Sequence, residues 1–165
     1  MGSQRIEHRA TTAADPATVY ALLRDGAGWP GWSPIDSFEL ERPGAGEPEG
    51  VGAVRLFRGG GVTGRDTIVE LVADRRFSYT HTSNLPVRNY RPDVDLEPVA
   101  EGTAIRWVST FDPEVARHRL ADAPRARRLH READQRPRRA LRGGRRRAQR
   151  RRLIVTVARV IRPGY

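Results

Sequence analysis

The run Gly102–Pro113, GTAIRWVSTFDP, does most to limit what this chain can become. Thr103, Ile105, Trp107, Ser109 and Phe111 recur at every second position, so an extended strand puts all five on one face. Such a strand belongs in a sheet with one buried and one wet side. Just beyond it the composition changes. Residues 1–112 carry 12 arginines and 16 acidic residues, a net of −4, whereas residues 113–165 carry 18 arginines and 4 acids, a net of +14. The overall charge of +10 therefore belongs to the C-terminal segment, and every Phe and Trp lies at or before Phe111. This divides the chain into residues 1–113, a sheet domain with N-terminal helices, and residues 114–165, a basic segment.

Upstream of Gly102 the same period of two recurs. Arg5–Ala13 reads as a first strand. Asp15-Pro16 then opens a helix, with Asp15 as N-cap and Pro16 where its missing N–H costs nothing; Val19, Tyr20, Leu22 and Leu23 form its apolar face, and Asp25-Gly26 ends it. Gly28–Pro34 holds two tryptophans among Pro and Gly, which predicts a short turn closing one end of a core. Strands are predicted at Ser37–Arg42, Ala53–Arg58, Gly64–Val72, Arg76–Ser83 and Asn89–Pro98, with Gly59-Gly60-Gly61 as a hairpin turn. In Arg76–Ser83, Phe77, Tyr79, His81 and Ser83 share a face; in Asn89–Pro98, Tyr90, Val94 and Leu96 do. The single N-terminal helix is too short to cover such a sheet, so the architecture calls for a second, long helix after Phe111.

At 165 residues the chain fits one domain with a real core, and without cysteine it needs no disulfide framework. It shows no basic-then-apolar leader, and its longest apolar run is too short to span a bilayer, so a cytoplasmic protein is expected. All 30 basic residues are arginine.

The strand-to-helix opening with Asp15-Pro16-Ala17 and Val19–Asp25, the Trp29-Pro30-Gly31-Trp32 block, Leu85-Pro86-Val87 leading to Tyr90, and Leu96-Glu97-Pro98 with Gly102-Thr103 running to Trp107, Phe111 and Pro113 together resemble the polyketide cyclase/dehydrase and lipid-transport superfamily. These are the START-like helix-grip proteins, and the resemblance spans about residues 3–113. It implies an α+β fold in which a curved antiparallel sheet of about seven strands packs on a C-terminal helix, with a short helix pair after the first strand. It further implies a cavity for an apolar small molecule, and no universal catalytic residue. Residues 114–165 depart from the pattern: Pro124, Pro137 and Gly143-Gly144 interrupt a helix, and no apolar stripe runs through them. An Arg-, Pro- and Gly-rich run is also what GC-rich DNA yields out of frame, so a shift of reading frame within 114–130 is one reading of the segment.

Trp32, Tyr79, His81, Tyr90 and Trp107 are the residues placed to reach such a cavity, as aromatic walls with a few hydrogen-bonding groups. His81 is the candidate acid or base if the protein is a cyclase or dehydratase; the plainer reading makes it a satisfied polar residue at a rim, and Trp107 and Tyr90 simple core. Asp66 and Glu70, on a strand with Arg65, allow an acid or base role, but the plainer reading makes them surface ion-pair partners. The histidines show no metal-like spacing and no cofactor is expected. The arginine triplets 145–147 and 150–152 would bind phosphate backbones without sequence preference, but no aromatic interleaves them, which speaks against base stacking. Hydrophobic or aromatic small-molecule binding is the leading functional expectation.

Overall fold

The computed structural model describes residues 2–84 and 86–113. The expectations placed on residues 114–165, the long covering helix and the nucleic-acid-binding tail, lie outside the described residues. The elements in order are β1 (Gln4–Thr12), α1 (Pro16–Arg24), a 3-10 helix (Gly26–Gly31), β2 (Ser37–Arg42), β3 (Val54–Gly59), β4 (Val62–Val72), β5 (Arg76–Ser83), β6 (Val87–Val99) and β7 (Gly102–Pro113). The strands form one antiparallel sheet in the order β1-β7-β6-β5-β4-β3-β2.

Local chemistry explains the connections. Gly60 and Gly61, with φ of 56° and 81°, supply the paired left-handed residues of a tight β3–β4 hairpin. β1 returns across the whole domain to pair β7, from Gln4 opposite Phe111 to Thr12 opposite Thr103. Asp15 caps α1, accepting from the Thr18 backbone N–H at 2.9 Å, and Pro16 sits in the first turn. Nine residues are too few for a helix to persist on propensity alone. Burial of Val19, Tyr20, Leu22 and Leu23, at about 1.5–3 kcal/mol for each aliphatic side chain, therefore holds α1 against β5, β6 and β7. No described helix is long and apolar enough to cross a membrane.

Alternation assigns the faces. Thr103, Ile105, Trp107 and Ser109 of β7, Val94 and Leu96 of β6, Phe77, Tyr79 and His81 of β5, and Phe57 of β3 are buried on the inner side. The outer side carries ion pairs such as Arg65–Glu41 at 2.8 Å and Arg76–Asp95 at 2.7 Å. In β4 a bulge interrupts the pattern: Ile68 pairs Tyr79, yet Glu70 pairs Ser78, so Val69 is the extra residue. Beyond it Leu71 stands opposite Phe77 and packs on the core, while Glu70 is turned to Arg76 and Arg91.

Candidate ligand-binding face

The inner wall is a chain of aromatic rings. Trp29 stacks on Phe57 with centroids 5.1 Å apart, touches Trp32 at 5.2 Å, and meets Tyr79 edge-on at 6.4 Å; Tyr79 in turn meets Trp107 edge-on at 6.5 Å. Three residues singled out from the sequence, Trp32, Tyr79 and Trp107, are thus connected, Trp32 by way of Trp29, whose ring stacks over Phe57 of β3. Edge-on and offset contacts of this kind add about 0.5–1.5 kcal/mol per pair beyond burial.

A single polar row crosses this wall. Arg55 on β3 is the register partner of Asp66 on β4, Asp66 of His81 on β5, and His81 of Tyr90 on β6. The Asp66 carboxylate lies 2.5 Å from His81 Nδ1, the His81 and Tyr90 rings meet edge-on at 5.6 Å, and the Tyr90 hydroxyl donates to Ser109 Oγ on β7 at 3.0 Å. Asp66 is therefore no surface partner of Arg65. It is 2% exposed, because even-numbered β4 residues before the bulge point inward, and Arg65 pairs with Glu41 instead. His81, at 6% exposure, is likewise part of the wall rather than a rim residue. Burial pushes the Asp66 carboxyl above the usual range, with the hydrogen bond from His81 pulling it back. Burial also raises the Tyr90 phenol, so that hydroxyl stays protonated and keeps its bond to Ser109 at neutral pH.

Gly64 leaves room for this arrangement. A Cβ there would come within 2.4 Å of His81 Cε1. Gly64→Ala is expected to push the imidazole off Asp66 and to cost about 1.5 kcal/mol, the usual scale for overpacking, read as a lower urea midpoint at unchanged slope. An unchanged midpoint would mean that the ring has slack around it.

Arg55, by contrast, is structural. At 1% exposure it donates to the carbonyls of Leu23 at 3.1 Å and Arg24 at 2.6 Å, closing the C-terminal end of α1, and pairs with Glu49 at 2.6 Å. Burial lowers its guanidinium from the usual value, and the Glu49 and Asp66 carboxylates draw it back up.

Sequence reasoning passed over Trp29, Arg55 and Ser109 as site components, and the inward parity of Asp66 was the available signal for its burial. The two tryptophans of the 3-10 segment differ in their polar ends. Trp29 Nε1 donates to Leu23 O at 3.1 Å, whereas Trp32 Nε1 is buried with no acceptor among the described residues. An unmet buried N–H costs about 1–3 kcal/mol. Among the described residues no group of three His, Asp or Glu gathers to hold a metal ion. On the outer face a shallow groove of about 540 Å³ lies among Arg9, Thr11, Asp95, Glu97, Ala104 and Arg106, but Arg106 is already paired with Glu7 and Asp95.

Seven antiparallel strands in this order, curved against a short N-terminal helix and lined with aromatic rings, fit the helix-grip fold of START-like proteins. The chain belongs to the polyketide cyclase/dehydrase and lipid-transport family, whose model matches residues 3–141. The match runs past Pro113, to residue 141. Among solved structures, a START superfamily protein from Mycobacterium smegmatis aligns with a TM-score of 0.59 at 11% identity, over 70% of this chain and 80% of that one. Ginseng major latex-like protein 151 from Panax ginseng aligns with a TM-score of 0.59 at 14% identity, over 73% and 84% respectively. None of the curated proteins matches the chain.

Proposed function

We propose that this protein binds a hydrophobic or aromatic small molecule against the inner face of its sheet, with Trp32, Tyr79, Tyr90 and Trp107 as walls and His81 as a polar contact. The observation that carries the reading is the polar row from Asp66 through His81 and Tyr90 to Ser109, set into an otherwise aromatic and aliphatic wall. A wall built only for packing gains nothing from burying a carboxyl and an imidazole side by side. Family membership supports the same reading. The test is fluorescence titration of the full chain with N-phenyl-1-naphthylamine, an uncharged probe that the arginine-rich segment does not attract. Saturable binding is expected, weakened about fivefold by Tyr90→Leu, and the absence of saturation would overturn the reading.

The Asp66–His81 contact favours a second reading, an enzyme of the cyclase or dehydratase type. Asp66 would hold the ring through Nδ1 and His81 would move a proton on a bound carbonyl compound. If His81→Ala and Asp66→Asn each leave turnover of such a compound intact, that assignment is removed while the binding function stands.

A further inference from the structure

Trp32 is at 8% exposure, and its indole nitrogen has no acceptor among the described residues. The tryptophan three positions before it, in the same turn, meets its own requirement on the Leu23 carbonyl. An indole that serves only to fill space gains nothing from its N–H, and a buried donor left unmet costs free energy. Other buried polar groups bear on a ligand differently, and His81 belongs to the polar row, its ring held by Asp66 through Nδ1. The Arg24 and Arg55 Nε atoms belong to guanidinium groups bonded through their remaining nitrogens, Ser78 lies opposite Asp93 on the outer side of β5, and His8 sits on edge strand β1 and is partly open to water. Trp32 combines deep burial, an indole donor with no acceptor among the described residues, and contact with the aromatic chain through Trp29 at 5.2 Å.

We propose that Trp32 is a specificity-determining residue of the ligand face, its indole N–H donating to an uncharged carbonyl oxygen on an otherwise aromatic or aliphatic ligand. This rests on the ligand-binding reading above. An indole N–H is a donor only, so its counterpart must be an acceptor. The acceptor is taken as uncharged because, among the described residues, the buried guanidinium of the inner face, Arg55, is already committed to Glu49 and to the carbonyls of Leu23 and Arg24. A carboxylate there would be desolvated without a counter-ion. Ketones, aldehydes, quinones and amides fit; the corresponding hydrocarbons leave the donor unmet.

A matched pair of probes isolates the oxygen: 2-acetylnaphthalene and 2-isopropenylnaphthalene have the same shape and differ by C=O against C=CH2. With the uniformly 15N-labelled full chain, the three tryptophans give three indole N–H signals. The Trp32 signal is expected to move downfield with the ketone and not with the alkene. Trp32→Phe is expected to reduce the ketone-to-alkene affinity ratio about fivefold, the scale of one neutral hydrogen bond. Binding of both probes with the same Trp32 signal and an unchanged ratio would overturn the assignment and leave the ligand-binding reading intact. Binding of neither would remove both. Should Trp32→Phe fail to fold, the signal in the unaltered protein decides by itself.

Discussion

Arg55→Met is expected to destabilise the protein by about 3 kcal/mol, measured by urea denaturation. The substitution keeps most of the side-chain volume and removes the charge. What it leaves behind sets the magnitude: the Arg24 carbonyl loses its side-chain donor, the Leu23 carbonyl keeps only that of Trp29, and Glu49 loses the partner 2.6 Å away. Removing one member of a buried pair costs about 3–5 kcal/mol. The lower end applies because the Glu49 side chain keeps 21% exposure and recovers some hydration. The guanidinium also lies over the rings of Trp29 and Phe77, at 5.9 Å and 5.1 Å, so the loss reaches the aromatic wall. A cost below about 1 kcal/mol would show that an apolar side chain serves equally well here, as it does at some buried ion pairs.

The second large effect is expected at Gly102→Ala. Gly102 has φ of 130°, and a Cβ would fall 2.1 Å from the Thr12 carbonyl oxygen and 2.7 Å from Ala13 Cα. Both obstacles are backbone, so no side-chain rotation relieves them. The chain must part β1 from β7 at the point where Thr12 faces Thr103, or abandon the turn into β7. About 3 kcal/mol is expected, seen as a fall in Tm of about 10 °C, while Gly31→Ala, where a Cβ meets nothing within 4 Å, serves as the near-neutral comparison. Equal melting temperatures for the two variants would refute the close-approach argument.

The strands were legible in the sequence because alternation is a local property. The residues sharing a face with Trp107, or with Tyr79, follow from parity within one strand. The polar row is not local. Asp66 sits next to Arg65 in the chain, which suggests a surface pair, but its burial depends on meeting His81 across β4 and β5, and that register is fixed by the hairpin turn. The bulge at Val69 adds one residue and returns Glu70 to the outer face, and no pattern of apolar residues announces it. Arg55 is harder still, since an arginine in a strand reads as outward until the helix end that needs its donors is in place. Trp29 and Trp32 look equivalent in the sequence, and only the fold separates the one whose N–H is met from the one whose N–H is not.

The register slip and charges on the edge strand β2 carry a consequence of another kind. Among the described residues, β2 forms one rim of the sheet and β1 the other. An open rim offers unpaired backbone groups to any passing extended chain, which is how sheet proteins polymerise. Here the register of β2 slips between Leu40 and Arg42, and Glu39, Glu41 and Arg42 crowd the same six residues. On the opposite rim Arg5, Glu7 and Arg9 alternate along β1. A copy of either strand laid alongside would meet charge and a broken repeat rather than a flat apolar ribbon, so both ends of the sheet resist aggregation while its inner face stays apolar.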